Sequence, residues 1–317
     1  MQIVKSKKSD FNKGGYLIVQ LTVKPFEYFE PRSIKEAISL LEKYGEDAKV
    51  IAGGTDLVPQ LKEREIEPKY LIDIKGINDL DHIKDDEGNL RIGAVTTHSV
   101  LENSSIIMNK ATALAEAVKG IGTVQIRNLG TIGGNLVNAS PCADTAPPLV
   151  VLEASLNVVG PLKERLVPIG DFFISVNKTV LQKNELLTEI QIPRLPQNSR
   201  SAFIKIGRRV GFDLAISSAA VMVTMDGAIC KDIRIALGSC APIPLRVRKA
   251  EDFLRGKRLE EKVFEEASEI VAKEISPGLL GRISPRGFSR AGSAEYRIEV
   301  SKVLVKNAIK TAVSRRS

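Results

Sequence analysis

Two stretches of this chain each carry adjacent glycines beside a small hydroxyl or amide residue: Ala52-Gly53-Gly54-Thr55-Asp56 and Gly130-Thr131-Ile132-Gly133-Gly134-Asn135. A glycine pair constrains a fold strongly, because backbone can pass where a Cβ would block it. The same absence lets N–H groups turn towards a closely approaching anion. Two such bends from separate parts of a chain suit a diphosphate better than a single phosphate. The first bend follows Lys49-Val50-Ile51-Ala52, which reads as a short strand, so a tight turn is its plain alternative. The first bend matches neither the dinucleotide-fold nor the P-loop glycine pattern, and those two readings fail.

The 317 residues suffice for two or three compact domains. Hydrophobic content of 43% and charged content of 26% are ordinary for a globular protein. No run approaches the ~18–20 apolar residues of a membrane span. No apolar stretch follows the Lys-rich start, so a secretory signal is not expected and the cytoplasm is the default location. Cys142, Cys230 and Cys240 show no C-x-x-C spacing and cannot alone hold an iron–sulfur cluster. With His82 and His98 the only histidines, a His-rich metal site is not expected. The net charge of +8 is scattered in short groups and Trp is absent, so a base-stacking surface is poorly supplied. The positive charge fits a solvated surface, an anionic cofactor or an acidic partner.

Residues 1–22 read as an extension. Ser33-Ile34-Lys35-Glu36 is a capping box, and the apolar spacing after it predicts a helix over 34–44 that ends at Gly45. Strands are expected at 49–52, 70–74, 90–95, 149–152, 155–159 and 186–192, with a helix over 111–119. Pro193 to Ser199 is the best linker, and a domain boundary is expected there. Beyond it, strands are expected at 202–206, 218–225 and 229–237, with Asp226-Gly227 as a hairpin turn. Helices are expected over 259–275 (ending at Ser276-Pro277-Gly278) and about 293–313. Val263, Ala267, Ile270 and Val271 should face inward on the first. Tyr296, Val300, Val303, Leu304 and Ile309 should do so on the second. Three antiparallel strands followed by helices make a small α+β unit.

Several side chains carry candidate chemistry. Thr55, Thr131 and Asn135 add donors to the bends. Asp144 suits a ribose hydroxyl, or it is a turn or capping residue before Pro147-Pro148. Lys205 sits in an alternating strand pattern, facing a cofactor, an interface or solvent; Arg208, Arg209 and Asp213 follow it. Cys142 would need an electropositive, accessible site to be reactive, and a small semi-buried residue is the simpler reading. Ser140 lacks a nucleophile elbow. No general acid–base pair is evident, and no catalytic side chain is assigned.

Taken together, these motifs resemble the FAD-binding medium subunits of molybdenum hydroxylases. The family includes aerobic carbon monoxide dehydrogenase and the central domain of xanthine dehydrogenase. The resemblance covers about residues 24–310. It rests on Val50 through Leu57, on Gln125-Ile126-Arg127-Asn128 leading into Thr131 through Asn135, and on Ala139-Ser140-Pro141 with Asp144. Phe203-Ile204-Lys205 and Gly207-Arg208-Arg209 belong to its C-terminal part.

The resemblance implies an α+β fold like vanillyl-alcohol oxidase, with FAD extended between subdomains at about 23–80 and 81–195. These form a 23–195 FAD-binding domain, followed by a small C-terminal domain at 200–317. By motif position, Val50, Ile51, Ala52, Gly53, Gly54, Thr55, Asp56 and Leu57 would line the diphosphate. Thr131, Ile132, Gly133, Gly134 and Asn135 would close over it. Asp144 would bind the ribose or ribityl part, Ile121 and Leu187 would lie near the flavin ring, and Lys205 would contact the cofactor. FAD would be non-covalent. Molybdopterin would sit on a large partner subunit and 2Fe–2S clusters on a small one, in a dimer of heterotrimers. Electrons would pass from those clusters through FAD to an external acceptor. A cysteine-rich insertion holding a 4Fe–4S cluster, as in 4-hydroxybenzoyl-CoA reductase, is missing between Asn135 and Cys142. The alternatives are a self-contained flavin oxidoreductase acting on a small molecule and a basic binding module for nucleic acid.

Overall fold

A computed structural model describes residues 23–207, 214–275 and 293–315. The extension at 1–22, Arg208, Arg209, Asp213 and the helix stop at Ser276-Pro277-Gly278 lie outside the described residues.

The first part is a three-stranded parallel sheet in the order Glu27–Phe29, Tyr70–Asp73, Ala48–Ile51. The helix Ile34–Tyr44 covers it through Ala37 and Leu41, and its Ile38 is also buried. Its ends follow the sequence: Ser33 Oγ accepts from the Glu36 N–H, Glu36 returns a bond to the Arg32 N–H, and Gly45 stops it at φ 51. The strand Ala48–Ile51 runs straight into Gly53-Gly54.

The second part is a five-stranded antiparallel sheet. Its order is Ile83–Asp86, Asn89–Gly93, Leu186–Ile192, Ser155–Val159, Glu164–Pro168. One face is apolar: Leu90, Ile92, Leu156, Val158, Ile190 and Ile192 share a core with Phe172 and the short helices. Those helices include Thr112–Lys119, Ile132–Asn138 and Ala146–Val151, while Val124–Leu129 buries no residue. Helix Ala146–Val151 corrects the sequence expectation of a strand at 149–152. Pro147 and Pro148 occupy its first turn, where a missing N–H costs nothing, and the apolar run is buried as a helix instead.

The third part is an antiparallel sheet of four strands rather than three: Ser199–Ile206, Ser217–Asp226, Ile229–Gly238 and the short Leu245–Arg246. A two-residue strand is too brief to leave an alternation. The hairpin closes with Gly227, at φ 56, and Ala228 between the paired Asp226 and Ile229. Two long helices, Glu261–Glu274 and Ala294–Ser314, cover one face, and a short helix at Arg248–Leu254 went unforeseen. The Ala294–Ser314 helix is rotated from the expected face. Leu304 and Ile309 are buried, whereas Tyr296 and Val303 are exposed, because Arg297 and Ser301 take inward positions. The opposite sheet face lies on helices Thr112–Lys119 and Ala146–Val151. The Phe203 N–H donates to Glu116 at 2.8 Å, and a Cβ on Gly238 would come 3.0 Å from Pro147.

Adjacent residues test this rotated face. Leu304→Ala should cost about 2–5 kcal/mol, whereas Val303→Ala should stay within about 0.5 kcal/mol. Urea unfolding of both variants measures the difference.

Candidate functional site

The two glycine bends meet. A Cβ on Gly53 would fall 2.0 Å from the Leu129 carbonyl oxygen and 2.9 Å from the Gly130 Cα. Only glycine permits that approach. Gly54, at φ +70, then turns the chain so that Val58 can donate back to its carbonyl at 2.9 Å. Among the described residues no protein acceptor takes the amides of Gly53, Gly54, Thr55 or Asp56. They form a run of donors at the mouth of the parallel sheet, the position where open sheets bind ligands. Val50 and Ile51 anchor the run by packing on either side of the sheet, while Ala52, Thr55 and Leu57 are half-buried and Asp56 is exposed.

The second bend is built differently from the first. Thr131 is buried and caps the helix Ile132–Asn138 by accepting from the Gly134 N–H at 3.1 Å. The Ile132 and Gly133 amides donate to Thr96 and Ala94 carbonyls at 3.0 and 2.9 Å. Gly133 must be glycine because a Cβ would sit 2.6 Å from the Ala94 carbonyl oxygen. These groups fix the bend and are not offered outward. Gly134 is exposed and Asn135 half-buried, so they carry this bend's outward chemistry. Asn135 Oδ1 accepts from Thr145 Oγ1 at 2.6 Å, which leaves its Nδ2 as donor.

Asp144 lies next to that threonine. It is 6% exposed; Oδ2 accepts from Lys205 Nζ at 2.5 Å and Oδ1 is buried with no partner. Lys205 Nζ also donates to the Gly120 carbonyl at 2.7 Å. Arg127 Nη1 takes the next carbonyl, Ile121, at 3.1 Å, and Nε bonds Glu102 at 2.7 Å. Consecutive carbonyls are thus clamped by cations from opposite ends of the site. The bends, the Gly120–Ile121 turn, Asp144 and Lys205 form one connected rim. Leu187 does not join it by its side chain, which is 2% exposed and packed in the core. The cavities of about 420 and 510 Å³, at Arg91–Gln191 and Gly45–Lys183, lie away from this rim.

The residue inventory narrows the chemistry. Burial pushes the Cys142 thiol up, the opposite of an activated nucleophile. No group of three or more His, Cys, Asp or Glu among the described residues could hold a metal ion, and no helix there is long and apolar enough to cross a membrane. A rim of free amides with one buried carboxylate suits a ligand that carries both phosphates and hydroxyls.

Comparison with known proteins agrees. Residues 24–195 match the family described as the FAD binding domain in molybdopterin dehydrogenase. Residues 202–312 match the CO dehydrogenase flavoprotein C-terminal domain. The chain belongs to this FAD-binding family of molybdopterin dehydrogenases. It is 34% identical over 290 residues to the carbon monoxide dehydrogenase medium chain of Afipia carboxidovorans, covering 92% of this chain and 97% of that one. It is 32% identical to the xanthine dehydrogenase FAD-binding subunit of Escherichia coli, covering 90% of this chain and 96% of that one. The solved carbon monoxide dehydrogenase of Hydrogenophaga pseudoflava includes a chain that superimposes with a TM-score of 0.87 at 34% identity, covering 93% of this chain and all of that one. The protein is accordingly a FAD-carrying oxidoreductase subunit of the molybdenum hydroxylase kind.

The rim fits FAD on its own evidence: Gly53 leaves no room for a Cβ and, among the described residues, four amides lack protein acceptors and Asp144 Oδ1 lacks a donor. The amides and Asp144 were legible as motifs. His98 and Arg127, which pack behind the second bend, were not assigned roles. The run Thr96-Thr97-His98 directly after a strand was the available signal for His98.

Burial raises the Asp144 carboxyl to about 6, with Lys205 opposing the rise. In the FAD-free protein the folded state holds this proton while the unfolded chain sheds it, so stability falls as pH rises from 3.8 to about 6. A hydroxyl donating to Oδ1 favours the carboxylate. FAD binding should therefore release a proton near pH 6 and tighten as pH rises through that value. Titration calorimetry in buffers of different ionisation heat measures this proton, and Asp144→Asn should abolish it. Gly53→Ala should part the bends, costing on the order of 1–3 kcal/mol and removing FAD binding, as read by thermal unfolding and flavin fluorescence.

Proposed function

We propose that FAD is held non-covalently along this rim and that the chain relays electrons between partner clusters and an external acceptor. In this reading the amides of Gly53 to Asp56 and the Asn135 Nδ2 hold the diphosphate. Asp144 Oδ1 accepts from a ribose or ribityl hydroxyl. Lys205 keeps Asp144 charged and, with Arg127, fixes the Gly120–Ile121 turn beside the ring; Leu187 supports the ring only through its backbone. Val50, Ile51, Ala52, Leu57, Thr131, Ile132 and Gly133 hold the cradle without facing the phosphates. The observation that carries this reading is the contact of Gly53 with the Leu129 carbonyl beside unpaired amides.

FAD, when bound, exchanges electron pairs with a hydride acceptor and single electrons with iron–sulfur clusters. In this reading the chain's residues need only bind, orient and exclude water, and no proton-transfer pair is required of them. Lys205 locks Asp144, the buried carboxylate of the rim, away from such a role. Non-covalent attachment is supported by the two histidines: His82 is paired with Glu189 and His98 is buried.

The partners in this reading are a molybdopterin-binding large subunit and a 2Fe–2S small subunit, assembled as a dimer of heterotrimers in the cytoplasm. Nucleic acid is not a partner. The chain divides into the extension 1–22, a FAD-binding domain at 23–195 with subdomains about 23–80 and 81–195, and a C-terminal domain at 200–317.

The test is reconstitution. The chain expressed alone should take up one FAD per chain, with flavin absorbance, and should show no bleaching by small substrates. Bleaching should require the co-expressed cluster and molybdopterin subunits. A correctly folded chain that takes up no flavin would refute the reading, and direct bleaching by a small molecule would favour a self-contained oxidoreductase.

A further inference from the structure

His98 opens the helix His98–Asn103, capped by Thr97 Oγ1, and is 2% exposed. Its backbone N–H donates to the Gly130 carbonyl at 2.9 Å. Its ring lies against the same residue: a Cβ on Gly130 would meet Cδ2 at 3.1 Å and Nε2 at 3.5 Å. Gly130 is therefore packed by the imidazole and also by Gly53, whose Cβ would come 2.9 Å from the Gly130 Cα. Nδ1 is buried without a hydrogen-bond partner. An unpaired buried ring nitrogen costs stability that an apolar side chain of similar size would not.

We propose that His98 is a positioning residue for the cofactor: its uncharged ring is the backstop holding Gly130 against Gly53, and protonating it loosens that contact and frees FAD. The inference rests on reading the rim as the FAD site. The charged groups carried by the helices next to His98's own helix support it, and of these only Arg127 acts on the ring. Arg127 approaches from helix Val124–Leu129, with its partner Glu102 on His98's own helix. Helix Thr112–Lys119 brings Glu116, engaged by the Phe203 N–H and Arg315, and the exposed Lys119. Helix Ser105–Lys110 brings Lys110, bound to Asp85. None of these carboxylates is bonded to Nδ1, so a proton placed on that nitrogen has no acceptor waiting. Burial, reinforced by Arg127, lowers the His98 pKa to about 4, against 6.5 in the unfolded chain. The folded site therefore resists this proton, and acid works against the backstop as pH falls below 6.5.

The experiment follows FAD release from the loaded full chain by flavin fluorescence, as pH is lowered from about 8 to about 4.5, across the ordinary imidazole range. Circular dichroism tracks the fold in parallel. Asp144 also titrates in this window, so the readout is the difference between wild type and His98→Gln. Wild type should release flavin while the dichroism stays native. His98→Gln, which cannot take the proton, should release FAD at a lower pH than wild type, each curve being scaled to its own binding at neutral pH. His98→Ala, which removes the backstop, should weaken binding at neutral pH by about tenfold or more, the change that about 1.4 kcal/mol produces. A His98→Gln release curve that overlays wild type would overturn the proposal. So would a His98→Ala protein that melts earlier yet binds FAD as tightly. A wild-type chain that takes up no FAD at any pH would instead sink the flavin reading on which the proposal stands.

Discussion

The site depends on one backbone contact, the Gly53 Cα against the Leu129 carbonyl. It brings the end of a parallel strand against the turn between helices Val124–Leu129 and Ile132–Asn138. A single methyl group at Gly53 would break it. Everything else on the rim is arranged to make that approach reproducible. Ile51 and Val50 pin one side to the small sheet, and Thr131, Ala94 and Thr96 pin the other to the large one. The two bends divide the work: the first offers its amides, and the second uses most of its own to stay in place.

That division explains what the sequence disclosed and what it hid. Glycine pairs are legible because they mark places where side chains cannot go, and both marked places adjoin the site. Their amides are not equally legible. Whether an N–H points outward or into a neighbouring strand is decided by tertiary pairing, here with residues 94 and 96. Asp144 and Lys205 could be named as candidates, but their pairing joins residues 61 positions apart and needed coordinates. Leu187 is matched by position alone, and its side chain packs in the core.

The fold followed the same logic. Capped, periodic helices such as Ile34–Tyr44 announce their ends. The apolar run at 149–152 has no period to separate strand from buried helix, and the prolines before it decide the matter only in retrospect. The inward face of Ala294–Ser314 departs from its apolar spacing because Arg297 is buried. Its guanidinium donates to the Ile216 and Ser239 carbonyls, at 3.1 and 2.8 Å, and so serves as a scaffold cation. Hydrophobic periodicity cannot anticipate a charged residue taking a core position.

Lys205 belongs to the C-terminal sheet, yet it reaches the Gly120 carbonyl and the Asp144 carboxylate of the unit before it. The last third of the chain is therefore masonry of the cleft and not an appendage to it. A lineage that shed this portion would inherit an aspartate buried without its counter-ion.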